Sequence, residues 1–117
     1  MSEISPATRQ QLTDYQRLQQ SLANLVDTKT RIQIELEQVK QALNYLGDDP
    51  SGKEVYKRIG TLLVKVDPLN LKEELLQRKE SLEVYIQRLD GQIKDVQKKL
   101  KKIEENLRET LQTSGAG

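Results

Sequence analysis

The feature that most constrains this chain is the spacing of its apolar residues, which alternates between three and four in two long stretches. Such a seam buries a narrow apolar stripe against another helix instead of inside a globular core. The first seam comprises Tyr15, Leu18, Leu22, Leu25, Lys29, Ile32, Leu36, Val39, Leu43 and Leu46. The second seam comprises Leu75, Lys79, Leu82, Ile86, Leu89, Ile93, Val96, Leu100, Ile103, Leu107 and Thr110.

One lysine interrupts each seam, Lys29 in the first and Lys79 in the second. Two interpretations of Lys29 stay open at this point. Its ammonium reaches water from a tolerated break in the seam, or it is a polar residue that fixes the register of the two helices. The composition supports long helices in either case, since 32% of the residues are charged and only 3% are aromatic.

Capping residues predict the bounds of the first helix. Ser5 followed by Pro6 is a favourable N-terminal pair, because serine caps the first turn and proline fits its first position. Gly47 follows the last seam residue and suits a left-handed cap. The first helix is therefore predicted at about residues 6–46.

The start of the second helix has two candidates in the sequence. One is Asp67-Pro68, and the other is Asn70 with Glu73 three residues later, which resembles a capping box. We place this helix at about residues 70–112, followed by a flexible tail at residues 113–117 that is rich in glycine.

Between the seams the pattern changes from helical to β. Residues 54–66 are rich in β-branched side chains and tyrosine, and Gly60 divides them into strands near 55–59 and 62–66. The predicted fold is mainly α: one domain, residues 1–117, with a long antiparallel two-helix coiled coil and a single β-hairpin between the helices.

A lone two-stranded hairpin is marginally stable in water, and its edges invite pairing. We therefore predict that the hairpin joins a larger sheet built with other subunits. The alternative is that it folds onto the helix pair and the chain stays monomeric. The predicted assembly residues are Val55, Tyr56, Ile59, Leu62, Leu63, Val64 and Val66.

The residue inventory argues against catalysis. The chain has no His and no Cys, and we find no phosphate-binding glycine motif, so we expect no enzyme activity, no metal and no cofactor. No apolar run approaches the roughly 20 residues of a membrane span, and the first residues do not resemble a secretory signal. The net charge of +1 gives no global attraction to nucleic acid. These features favour a cytoplasmic protein without a membrane or nucleic-acid partner.

The segment Val55-Tyr56-Lys57-Arg58-Ile59-Gly60-Thr61-Leu62-Leu63-Val64-Lys65-Val66, set between matched coiled coils, resembles the hairpin of the β-type subunit of prefoldin. Tyr15-Gln16-Arg17-Leu18-Gln19-Gln20 is similar to that family's first helix, and the resemblance covers about residues 5–112. Room for only one hairpin favours the β type over the α type, and the short tail and simple pattern favour an archaeal-like chain.

This resemblance implies a hexamer of two α-type and four β-type subunits, whose hairpins form a β-barrel. It implies an ATP-independent holdase, which captures unfolded proteins at coiled-coil tips and delivers them to a group II chaperonin. The expected client-binding tips are Ile4, Ala7, Leu12 and Tyr15 beside Ile103, Leu107 and Leu111. The seam is irregular there, so we expect these helix ends to fray.

Two other functions stay open from the sequence. A structural tether or adaptor would use the coiled coil as a spacer, and a nucleic-acid-associated protein would use the lysines of the second helix. Those lysines have two further interpretations, a solvated surface or a docking site for a chaperonin. The docking candidates are Lys98, Lys99, Lys101 and Lys102, with Lys94 nearby.

Overall fold

A computed structural model describes residues 4–116 of the chain, with side chains for residues 4–112. The order of elements is α1 (Pro6–Leu46), β1 (Val55–Ile59), β2 (Leu62–Val66) and α2 (Pro68–Ala116). The predicted architecture of two long helices with one hairpin between them is confirmed.

The chain divides into two compact units, and each contains a segment of both helices. The end unit comprises Met1–Lys29 and Arg88–Gly117, and the hairpin unit comprises Thr30–Gln87.

Helix α1 has the predicted bounds because both predicted caps form. The hydroxyl of Ser5 accepts a hydrogen bond from the backbone N–H of Thr8 at 3.1 Å, which satisfies one of the free donors of the first turn. At the other end, Gly47 adopts a φ of 69° and donates its N–H to the carbonyl of Leu43. A residue with a side chain would be strained in this left-handed conformation.

Helix α2 begins at Pro68, two residues before the predicted start near residue 70. The first of the two candidate caps is the one that forms, since the carboxylate of Asp67 accepts the N–H of Asn70 at 3.1 Å. The helix also continues to Ala116, through most of the segment predicted as a flexible tail. Gly115 lowers helix propensity but, unlike proline, it keeps its backbone donor.

The two strands pair antiparallel in the predicted positions. The two residues between the strands form a turn in which Gly60 has a φ of 60°. The pairs are Val55 with Val66, Tyr56 with Lys65, Lys57 with Val64, Arg58 with Leu63, and Ile59 with Leu62.

The hairpin unit contains a hydrophobic cluster formed by seam residues. Leu36, Val39 and Leu82 are buried in its centre, and Ile32, Leu43, Leu75 and Ile86 pack against them. Beside this cluster the guanidinium of Arg78 donates to the carboxylate of Glu35 across the helix pair, at 2.9 Å from Nε. Because all seven cluster residues lie in the predicted seams, the heptad pattern located this core correctly.

A side chain of α2 holds the linker, residues 47–54, which joins α1 to the hairpin. The ammonium of Lys72 donates to the carbonyls of Gly47 at 2.7 Å and of Asp48 at 2.9 Å. Pro50, two residues after Asp48 in the sequence, is fully buried. The hydroxyl and N–H of Ser51 donate to the carboxylate of Asp49 and lower the pKa of that group. The linker is therefore an ordered turn tied to the helix.

The end unit is packed more loosely. Leu89 and Leu100 are its buried residues among those described, and the other leucines of its seams are half-buried. Lys29 lies in the seam and forms an ion pair with Asp90 of the other helix at 2.5 Å. A cross-helix partner of this kind favours the interpretation of Lys29 as a register-fixing residue.

Candidate functional site

The helix ends in the end unit expose apolar side chains. Ile4 is 51% exposed, Leu12 is 38% exposed and Leu111 is 67% exposed, and Ala7 is exposed as well. Leu12 is exposed because it lies one place off the heptad, whose positions here are taken by Thr8 and Gln11, both half-buried. A seam with polar residues at these positions leaves nearby apolar groups in contact with water.

The other three predicted tip residues are half-buried: Tyr15, Ile103 and Leu107. The hydroxyl of Tyr15 donates to the carboxylate of Glu104 at 2.7 Å, which joins the two helices. This hydrogen bond to a carboxylate, with a smaller effect of desolvation, raises the pKa of Tyr15. The seven predicted residues thus form two groups, four that are exposed and three that lie along the helix pair.

A shallow groove of about 470 Å³ lies on the helix pair of the end unit. Leu18 and Ile103 are its apolar residues. Leu18 was absent from the predicted site, although its place in the first seam was a usable signal because seam residues of paired helices meet. The polar rim of the groove comprises Gln11, Asp14, Arg17, Lys99, Lys102 and Asn106.

The structure divides the predicted lysine cluster. Lys99 and Lys102 line the groove, whereas Lys98 and Lys101 are exposed and do not line it. This follows from helical geometry, since residues three apart share a face and residues one apart do not. The sequence-based docking prediction grouped all four lysines, although their helical spacing was a usable signal for this division.

The hairpin has two faces, which the strand register defines. The first face carries Val55, Lys57, Ile59, Leu62, Val64 and Val66, and the second carries Tyr56, Arg58, Leu63 and Lys65.

On the first face, the residues at the open end of the hairpin, where the strands join the rest of the chain, are covered within the chain. Val55 is buried and Val66 is half-buried, and the ammonium of Lys57 pairs with Glu74 of α2 at 2.5 Å. These valines therefore contribute to the hairpin unit itself. The predicted assembly residues that remain exposed are Tyr56, Ile59, Leu62, Leu63 and Val64, with Leu63 at 71%.

Unpaired strand edges accompany these exposed side chains. Among residues 4–116, the sheet contains β1 and β2 alone, so each strand has one edge without a backbone partner. Unpaired edges and exposed apolar groups in the same hairpin are the features of a strand pair that another sheet can extend.

Within the described part of the chain, no set of three or more acidic, histidine or cysteine side chains comes together to hold a metal ion. None of the described helices is long and apolar enough to cross a bilayer. The surfaces that the structure does present offer apolar contact and fixed charge.

Two long helices joined by one small sheet define the class of coiled-coil hairpin proteins. The chain belongs to the prefoldin subunit family, because the family profile described as "Prefoldin subunit" matches residues 9–114. Prefoldins are chaperones, and the resemblance to the β-type subunits of archaea is confirmed by the relatives.

Two relatives and one solved structure show the extent of the similarity. The prefoldin subunit beta of Thermococcus onnurineus is 33% identical over 95% of this chain and 96% of its own length. That of Thermococcus gammatolerans is 34% identical over the full length of both chains. The crystal structure of the prefoldin beta subunit from Thermococcus strain KS-1 matches with a TM-score of 0.82 and 33% identity, covering 95% of this chain and 97% of that one.

Proposed function

We propose that this chain is a subunit of an ATP-independent holdase, which captures unfolded proteins at its helix ends and delivers them to a group II chaperonin. The observation that carries the proposal is the exposure of Ile4, Leu12 and Leu111 at the helix ends of the end unit. Membership of a chaperone family supports it. The proposed place of action is the cytoplasm.

Assembly would use the hairpin. Covering the part of its five exposed apolar side chains that water still reaches would contribute about 25 cal/mol per Å² of apolar surface removed from water. The unpaired strand edges would gain backbone hydrogen bonds in the same step. We propose that the partners are further copies of this chain and an α-type prefoldin subunit, in a hexamer of two α and four β subunits whose hairpins form a barrel.

Client capture would depend on many weak contacts. A single exposed leucine binds an unfolded chain weakly, and the contact breaks readily. Several subunits that present such groups together hold a client by avidity, because each further contact becomes intramolecular. Ala7 and the half-buried Tyr15, Ile103 and Leu107 would add contacts when the helix ends separate.

Delivery would use the exposed lysines that do not line the groove. Lys98 and Lys101 present positive charge on α2, and complementary charge on a chaperonin would accelerate encounter between the two assemblies. Such a contact weakens with salt, since the Debye length falls to about 3 Å at 1 M.

Light scattering of a chemically denatured enzyme tests the capture step. The assembly, formed with an α-type prefoldin subunit, is expected to suppress aggregation of this client. The triple variant Ile4→Ser, Leu12→Ser and Leu111→Ser is expected to lose most of that protection while keeping its mass.

The matched control is Ile34→Ser, Leu76→Ser and Val84→Ser, which changes three comparably exposed apolar residues of the hairpin unit. This control is expected to protect as the wild type does. Equal loss in both variants would mean that general surface hydrophobicity binds clients. An assembly that never suppresses aggregation would leave the chain as a structural tether or adaptor.

A further inference from the structure

The rim of the groove in the end unit has an uneven charge. Three cationic side chains line it, Arg17 from α1 with Lys99 and Lys102 from α2, against one carboxylate, that of Asp14. The whole chain carries a net charge of only +1, so this excess is local to the groove. A local excess of one sign beside an apolar surface selects the charge of whatever binds there.

The three cations have no ionic partner in the described part of the chain. No carboxylate of another described residue lies within 4 Å of Arg17, Lys99 or Lys102, whereas Lys29, Lys57, Lys65 and Arg78 all form ion pairs. The carboxylate of Asp14 accepts a hydrogen bond from the amide of Gln10 on its own helix at 2.9 Å. The positive charge of the rim is therefore available to a bound molecule.

Apolar side chains line the same groove as these cations. Leu18 and Ile103 are half-buried there, so each has surface left to cover. The volume of about 470 Å³ falls among clefts that hold small ligands, about 300–1,000 Å³. It accommodates one or two large side chains of a peptide.

We propose that this groove prefers segments of unfolded protein in which large apolar residues are flanked by Asp or Glu. The apolar side chains contact Leu18 and Ile103, and the flanking carboxylates pair with Arg17, Lys99 and Lys102. This inference rests on the proposed holdase function and names the class of client segment that the end unit selects. Two or three solvent-exposed ion pairs correspond to a preference of about threefold to tenfold.

Three labelled peptides of equal length test the preference. Each has the same central Leu-Leu pair, with flanks of Glu, Gln or Lys, and binding to the chain assembled with an α-type prefoldin subunit is measured by fluorescence anisotropy. The Glu-flanked peptide is expected to bind about threefold to tenfold more tightly than the Gln-flanked one. The Lys-flanked peptide is expected to bind most weakly, and the differences are expected to shrink at high salt.

A matched pair of double variants assigns the preference to the groove. Lys99→Gln with Lys102→Gln removes two rim charges, and Lys98→Gln with Lys101→Gln removes two charges from the same helix outside the groove. The first variant is expected to lose most of the preference for Glu flanks. The second is expected to retain it.

Different failures have different meanings. If the three peptides bind equally, or if both double variants lose the preference alike, the inference is overturned and the holdase function stands. If none of the three peptides binds, the proposed capture at the helix ends is itself overturned. A rim variant that changes the mass of the assembly, or that loses chaperonin binding alone, would assign the groove to a subunit contact or to the chaperonin instead.

Discussion

The two units of this chain share the same heptad spacing, but they bury their seam residues to different extents. In the hairpin unit, Leu36, Val39 and Leu82 form a contiguous buried cluster, and Leu46 and Val55 are buried as well. In the end unit, the buried residues among those described are Leu89 and Leu100. Periodicity alone therefore does not fix the degree of burial.

The difference has a local cause in each unit. The hairpin unit gains contacts from its linker and strands, including the Lys72 ammonium on the carbonyls of Gly47 and Asp48. The described residues of the end unit form only two helix segments, and Thr8 and Gln11 occupy seam positions there. Segments with little buried apolar area open at lower free energy than the core. Such a segment suits transient contact with many partners, whereas a well-packed unit suits a fixed interface.

The largest effect is expected from a charge in the exposed part of the hairpin. Val64→Asp should abolish assembly while the isolated chain keeps its helix content, because Val64 is partly exposed and faces Lys57 across the sheet. Removing this carboxylate from water in the proposed barrel would be costly even with Lys57 opposite it. Mass measurement in solution and circular dichroism check both parts.

Thr61→Asp is the control, since it places the same charge in the turn of the hairpin. It is expected to assemble with native mass. If Val64→Asp also keeps its native mass, the hairpin is not the assembly element, and the fixed interface must lie elsewhere.

The next largest effect is expected from a substitution in the buried cluster of the hairpin unit, compared with the same substitution in the end unit. Leu82 is 2% exposed. The substitution Leu82→Ala should lower the unfolding free energy by about 3 kcal/mol, within the range for buried leucines. The same change at half-buried Leu18 should cost less than half of that. Urea unfolding monitored by helix content measures both variants. Equal losses would show that the two units are packed alike.

A smaller effect is expected from Lys72, which holds the segment after α1. Lys72→Met leaves two carbonyls without their charged donor and should lower the unfolding free energy by about 1–2 kcal/mol. Lys65→Met removes an exposed ion pair with Glu54 and should cost less than about 1 kcal/mol. Thermal unfolding distinguishes the two, and similar melting temperatures would mean that the Lys72 contacts add nothing beyond a surface pair.

The smallest effect is expected from Tyr15→Phe, which removes the hydrogen bond to Glu104. Because the pKa of Tyr15 is raised in the folded chain, its contribution is fully present below the ordinary tyrosine pKa of 10.0 and is lost as the pH rises through the folded value. Unfolding of wild type and variant should therefore differ at pH 7, with the wild type more stable. Above pH 10 the wild type should lose stability that the variant keeps, and parallel pH profiles would contradict this assignment.

The helix bounds show what local chemistry predicts and what it leaves open. Ser5, Pro6 and Gly47 determined α1 from the sequence because capping is a contact between near neighbours. The start of α2 had two acceptable caps, and the structure uses Asp67. The helix also continued to Ala116 against a glycine-rich composition, since composition changes the probability of a helix without fixing where its backbone bonds stop.

The candidate surfaces show the same limit. The sequence identified the strands and the seams, because spacing determines which residues share a face. The client-binding role of the seven tip residues stays a prediction. Only the tertiary structure showed that Val55 is covered by its own unit and that Lys99 and Lys102 line one groove with Leu18 and Ile103. Those facts depend on contacts between residues far apart in the chain. Periodicity along one helix contains no information about the neighbour that covers each face.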